Sequence, residues 1–429
     1  MIKSKSIPQG WSFTDLKNVG EIVTGNTPSM KFPHYYGGDI PWVKPPDINK
    51  NSIIYSTPET LSDDGVAKAR LLPKGAVLVT CIGNIGNVAL AGVPLTTNQQ
   101  INSIIFNSQI IDFKYGFYWC KTLKRWLIEN STSTTISMIN KSRFGNAPFL
   151  IAPLKEQKRI ADKLDNLYLH LDSLNGRLYK IPLLLKQFRE NVLTQAITGK
   201  LIEVEFSFKK LGDLIVDIKY GTSKKSDYKT HGVPVLRIPN IKDDGTIDIS
   251  DLKYAMLDKS EEAKLKLKEN DILLIRSNGS ISILGRSALV NKEIAGFAYA
   301  GYLIRVRCNE KLIFPAYLNN VLASPVIRKV IEGNARSTTG VNNINSEEVK
   351  ALLIPFPTLE NQRLIVAKVE QLFLIADKIE RHYLTLNDIL NNLPSTILSK
   401  AFKGELVDQN PEDEPASVLL QKITQMKAK

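Results

Sequence analysis

A chain of 429 residues, 43% of them hydrophobic, is too long for one core and divides into two to four units. Lys and Arg number 56 against 43 Asp and Glu, and the net charge of +13 points to a polyanionic partner, most often nucleic acid. There is no apolar run long enough to span a membrane, the first eight residues lack a signal-peptide core, and Cys81, Cys120 and Cys308 are widely spaced, which fits unpaired thiols in a reducing cytoplasm.

Residues 1–153 read as a first globular unit of mixed α/β type. Alternation over 11–16 opens a strand, and 25–29 (GNTPS) is a turn or loop. The short apolar strand at 40–43 (IPWV) runs into KPPDI, and 76–80 (AVLVT) is a buried strand. It leads to GNIGN at 83–87, where the backbone turns tightly or approaches something closely. Another strand covers 102–106, helical spacing covers 115–128, and 130–135 is a polar Ser/Thr loop.

Residues 154–205 form a first helical spacer. Its apolar positions are Ile160, Leu164, Leu167, Leu171, Leu174, Leu178, Ile181, Leu185, Phe188 and Val192, in alternating steps of four and three, the seam of a coiled coil. Residues 206–357 repeat the first unit in the same order, with VPVLRIPNI at 233–241 paralleling IPWVKPPDI at 40–48. Residues 358–429 hold a second spacer and a C-terminal tail. Its seam is Ile365, Val369, Leu372, Ala376, Ile379, Tyr383, Leu386, Leu390, Leu393 and Ile397, each 205 residues after its counterpart. Each stripe could pack on its own globular unit, but equal length in both copies favours mutual pairing. Pro182 and Pro394 should kink or break their helices. The tail after Asp408 reads as polar and loose, followed by an amphipathic piece over 416–426. The expected fold is mixed α/β (α+β): two similar globular domains separated by a long antiparallel two-helix coiled coil, a pseudo-two-fold internal repeat.

Local signatures of catalysis are missing. There is no phosphate-binding Gly-rich loop with its Lys, and no Asn/Asp-Pro-Pro-Tyr/Phe tetrad of the amino-methyltransferases. Pro46–Asp47 has no acidic-x-Lys within the next thirty residues to complete a nuclease motif. His34, His170, His231 and His382 lack ligand partners at metal-binding spacing. What remains is polar and loop-borne. In the first unit it comprises Lys31, Lys44, Asn84, Asn87, Asn98, Gln99, Gln100, Ser131, Thr132, Thr134, Thr135, Lys141 and Arg143. In the second it comprises Lys219, Lys224, Lys225, Arg237, Asn240, Arg276, Asn278, Arg336, Ser337, Thr338, Asn342 and Asn343. Lys and Arg neutralise phosphates, Arg reads guanine edges, and Asn or Gln reads adenine. Arg276 follows a buried strand and is the expected base reader, whereas Lys224 and Lys225 suit phosphates. Two other classes fit part of this pattern: an enzyme with a dispersed site, which would turn over without partners, and a protein-binding adaptor, which would show no salt-dependent DNA shift.

The order of units resembles the specificity subunit of type I restriction–modification systems. The resemblance covers nearly the whole chain. It is carried by APLKEQKRI at 152–160, PTLENQRLI at 357–365, and the helix ends AITGKL at 196–201 and AFKGEL at 401–406. Asn361 departs from the usual Glu before Gln, and Ile197 from the usual Phe. The resemblance implies two target-recognition domains that each read half of a split, asymmetric double-stranded DNA site. It implies helices that set the gap and dock two methyltransferase subunits, with two restriction/translocase subunits where cleavage occurs. S-adenosylmethionine, and ATP with Mg, would sit on those partners; this chain would carry no cofactor, metal or catalytic residue and would be cytoplasmic.

Overall fold

The computed structural model describes residues 7–48, 53–132, 136–338 and 340–427. The chain forms two compact units, Met1–Arg177 with Leu386–Lys429, and Leu178–Thr385. Each unit therefore contains one globular domain and parts of both helical segments.

In the first unit a five-stranded sheet runs in the order Gly20–Thr24, Ile101–Phe106, Val77–Thr80, Val88–Ala91, Ile53–Ile54. Val77–Thr80 and Val88–Ala91 are buried throughout, which is why they read as continuous apolar runs rather than alternations. Ser12–Asp15 pairs antiparallel with Pro148–Ile151, so the strands entering and leaving the domain lie side by side. The helical stretch divides into Phe113–Thr122 and Lys124–Glu129; Asp112 caps the first by accepting from Lys114 N and Tyr115 N.

The second unit repeats this plan. Its main sheet runs Ile215–Tyr220, Leu303–Cys308, Ile272–Ile275, Ser287–Leu289, and Ser207–Lys210 pairs with Leu353–Phe356. Along the buried strand Ile272 and Leu274 enter one core cluster while Leu273 and Ile275 enter another, the two faces of a sheet covered on both sides. A small sheet joins Ser277–Asn278, Val341–Asn343 and Arg336–Thr338.

The two prolines behave differently. The first helical segment breaks into Leu154–Leu178 and Ile181–Ile197. Pro182 falls in the first turn of the second piece, and its ring would collide with the carbonyl four residues back, at Leu178, where the first piece stops. Pro394, by contrast, lies inside an unbroken 43-residue helix, Leu359–Ala401, so the expected break is absent there. Leu390, Ile397 and Leu398 are buried on either side of it, and this packing offsets the roughly 3 kcal/mol an internal proline costs.

In the second unit the helices pair antiparallel. Arg189 reaches Asp377 and Glu380, both at 2.7 Å, while Val192, Leu193, Ala196 and Ile197 share a core with Ile365, Val366 and Val369. That core also holds Ile313, Tyr317 and Leu318 of the globular domain, so the first turns of the helix pack on their own domain as well. Of the seam positions, Ile160, Leu164, Leu171, Ile365 and Val369 are buried, and Leu167, Leu178, Leu372 and Tyr383 partly so. Leu174, Ile379 and Leu386 are exposed.

The tail is not loose. Asp413 is buried and bonds Arg159 at 2.8 Å, Ala416 N donates to Gly10 O at 2.8 Å, and Ala416 and Leu419 are buried. Phe402 packs edge-on against Tyr115 and Trp119, with ring centroids 5.4 and 4.9 Å away. Here the segment around Gly10 meets the segment around Ala416. In the second unit the corresponding helix end continues covalently through residues 198–206 into the first strand.

Candidate nucleic-acid interface

The backbone ladder fixes which positions correspond. Ile139 N donates to Cys81 O and Ile344 N to Arg276 O, both at 2.9 Å. Cys81 N donates to Gln100 O and Arg276 N to Tyr302 O, at 2.8 and 2.9 Å. The buried strand of each domain thus ends beside the extended segment that follows its Ser/Thr loop. In the first unit this edge is closed by Ile82 bridging Met138 and Thr132 bridging Met138.

Several candidate side chains face solvent. Lys31, Asn84, Gln99 and Lys141 are exposed in the first unit, and Lys219, Lys224 and Lys225 in the second. Gln99 accepts a bond from Thr27, and Lys219 pairs with Asp217 at 3.2 Å. Lys224 is held by Glu261 at 2.6 Å and Asp258 at 3.5 Å, and its hydrogen bond is the main reason the Glu261 carboxyl lies below its ordinary range. Arg336, Ser337 and Thr338 lie on the strand paired with Val341–Asn343. Thr134 and Thr135 lie outside the described residues.

Others serve their own domain. Lys44 and Arg237 occupy matching turns, in which Lys44 N donates to Asp47 at 2.7 Å and Arg237 N to Asn240 at 2.8 Å. Their side chains pair with Glu59 and with Asp251 (3.1 Å). Asn240 is buried and also donates to Asp248 O and Asp251 O. Asn98 is buried and donates to Gln100. Arg276 is half-buried, its guanidinium 4.5 Å from the Tyr220 ring centre and its Nη1 3.3 Å from Gly301 O. It has neither the free reach of a base reader nor a carboxylate partner among the described residues.

The helix starts contain residues whose role the sequence did not reveal. Gln157 is fully buried, accepts from Asp112 N at 2.9 Å, and donates to Ile110 O and Ala152 O at 3.0 and 2.8 Å. Gln362 repeats this with Phe314 N, Leu312 O and Pro357 O at 2.7, 3.3 and 3.0 Å. Each amide ties a long helix to the cap of its domain helix; recurrence of Gln at the repeat offset was the available signal. The neighbouring position explains a departure between copies. Glu156 is buried, accepts from Trp11 Nε1 at 3.0 Å, and interacts with Gln409 and Arg159 of the network around Asp413, which the second unit does not need at Asn361. Burial is the leading cause that raises its carboxyl above the ordinary range.

Chemistry elsewhere is muted. Burial pushes the Cys81 and Cys308 thiols up to about 12 and Cys120 higher still, which suppresses thiolate chemistry. Among the described residues no three His, Cys, Asp or Glu are grouped to hold a metal, and no helix is long and apolar enough to cross a membrane.

Sequence comparison decides the family. The chain matches the type I restriction modification DNA specificity domain over residues 8–183 and again over 203–386. The chain belongs to the type I restriction–modification specificity family. It is similar to the EcoKI specificity subunit of Escherichia coli K12, at 29% identity over 97% of this chain and 95% of that protein. It is also similar to the StySPI specificity subunit of Salmonella potsdam, at 34% over 68% and 66%. In fold this specificity subunit is similar to the HsdS subunit of Thermoanaerobacter tengcongensis, with a TM-score of 0.64, 18% identity, and coverage of 94% and 100%. A chain solved in work on assembly of a type I system gives a TM-score of 0.74 at 19% identity, covering 93% and 99%. As a specificity subunit the chain is the non-catalytic member of a type I restriction enzyme complex.

Proposed function

We propose that this chain supplies the DNA address of its complex. Each globular domain, 1–153 and 206–357, reads one half of a bipartite asymmetric site, and the spacers at 154–205 and 358–429 set the gap. The observation that carries this reading is the shared backbone ladder of two domains whose exposed loop and edge residues differ. Exposed Lys31, Asn84, Gln99, Lys141, Lys219, Lys224 and Lys225, and partly exposed Asn278 and Asn342, with the 336–338 strand, are the proposed contacts; Lys44, Asn98, Arg237, Asn240 and Arg276 shape the surfaces that carry them.

The helices present uncovered apolar side chains, among them Leu183, Leu184, Leu374 and Leu384 in the second unit and Leu169 and Ile389 in the first, and Tyr179 is uncovered in the break between helices. Such surfaces suit two methyltransferase subunits, with restriction/translocase subunits beyond them. S-adenosylmethionine, ATP and Mg would reside there, in the cytoplasm.

Exchanging residues 206–357 for those of a relative, followed by mapping N6-methyladenine in a genome that expresses the chain with its methyltransferase subunit, should alter one half of the methylated sequence. A change in both halves would refute separable readers. Residues 160–192 would rise roughly 50 Å as a straight helix, against about 34 Å for one duplex turn. Adding one turn to both helical segments should lengthen the gap, and an unchanged gap would remove the ruler role.

A further inference from the structure

The corresponding strand ends differ most at one cross-strand pair. Ser277 pairs with Asn343 and Asn278 with Asn342 in the second unit, whereas in the first Ile82 pairs with Met138 and Gly83 N donates to Ser137 O. Asn278 and Asn342 therefore stand where the first unit has Gly83 and Ser137. Two carboxamides face each other across adjacent strands in one unit and are missing in the other.

Each amide is anchored at one end. Asn278 Oδ1 accepts from Ser280 N at 2.8 Å, and Asn342 Nδ2 donates to Gly279 O at 3.1 Å. Among the described side chains, none partners Asn278 Nδ2 or Asn342 Oδ1. The pair thus offers one donor and one acceptor with fixed roles on a partly exposed edge. The major-groove edge of adenine is their complement: N7 accepts and the N6 amino group donates.

The edge is stiffened from behind. The Arg276 guanidinium stacks on Tyr220, whose hydroxyl accepts from Ser346 N at 2.8 Å, and Arg276 O accepts from Ile344 N. These bonds tie the start of the Ser277–Asn278 strand to the segment that follows Val341–Asn343, which limits the freedom of both amides.

The geometry points to Asn278 and Asn342 together as the reader of one adenine in the half-site of the second unit, with Arg276 as their positioning residue. This rests on the reading of each unit as a DNA reader. Asn278 Nδ2 donates to N7, and N6 donates to Asn342 Oδ1.

The test uses the full chain assembled with its methyltransferase subunits and duplexes carrying the sequence mapped by methylation. Each adenine of the second unit's half-site is replaced in turn by 7-deazaadenine, which lacks the N7 acceptor, or by purine, which lacks the N6 amino group. One position should lose about tenfold in affinity with either analogue. Asn278→Ala should bind the natural site about tenfold more weakly and become indifferent to 7-deazaadenine there; Asn342→Ala should become indifferent to purine. Arg276→Met should shrink both analogue effects while binding scrambled DNA as before, and Arg276→Lys should not restore them. If the assembly prefers the mapped duplex yet no adenine couples to either asparagine, the adenine assignment is wrong and the DNA reading stands. If the mapped duplex binds no better than a scrambled one, the DNA reading itself fails.

Discussion

Packing of the C-terminal segment around Asp413 in the first unit rests on an unequal ion pair. The Asp413 side chain is 2% exposed and that of Arg159 37%, with 2.8 Å between them. Asp413 Oδ1 already lacks a partner, so removing Arg159 strands a buried carboxylate. That loss should cost about 3–5 kcal/mol in Arg159→Met. Removing the charge of Asp413 instead leaves an arginine that solvent reaches and that still contacts Asp408 O at 3.4 Å. Asp413→Asn should therefore cost only about 1–2 kcal/mol. The assay is built into the sequence: the four tryptophans, Trp11, Trp42, Trp119 and Trp126, all lie in the first unit. Tryptophan emission in urea thus follows that unit alone. Equal losses in the two variants, or a larger loss in Asp413→Asn, would refute this account.

Three further outcomes follow from buried or exposed charge. Burial is the first cause that raises the Glu156 carboxyl above 4.5, so the folded state holds its proton longer and stability falls as pH rises from there. Glu156→Gln should flatten that fall in the first unit's urea midpoint as pH rises above 4.5 and leave the variant at least as stable at neutral pH. Lys121 lies 4.7 and 4.8 Å from the Phe117 and Tyr168 ring centres, and burial pushes its ammonium down to about 7 against the pull of Asp172. The unfolded chain then binds more protons above pH 7, so the first unit should gain stability from pH 7 to about 8, before the thiols of the unfolded chain titrate. Lys121→Met should remove that gain; an unchanged slope would show that other groups cause it. Lys224 is already neutralised by Glu261 and Asp258, whereas Lys225 is exposed near Asp227. Lys225→Ala should reduce the salt dependence of DNA binding by about one unit of log–log slope and Lys224→Ala by less, measured by titration in increasing salt.

Much of the architecture was legible because it is periodic and local. Alternating steps of four and three marked the helices, continuous apolar runs marked Val77–Thr80 and Ile272–Ile275 as buried strands, and the recurring order of segments aligned the two domains. The ring of Pro182 against the carbonyl of Leu178 also acts within one turn, and the break fell there. Contacts between distant parts of the chain were not legible. Arg159 and Asp413 are 254 residues apart, and nothing local distinguishes a polar tail that packs from one that does not. Arg276 reads as a free arginine at a strand end until Tyr220 is brought beneath it from another strand. Pro394 reads as a helix breaker until buried neighbours on both sides outweigh its cost. The sequence by itself determined which segments form elements and that they recur, since backbone geometry and side-chain period are set within a few residues. The tertiary structure alone decided which polar side chains are spent inside the domain and which remain for a partner, since hydrogen-bond satisfaction depends on groups that only folding brings together.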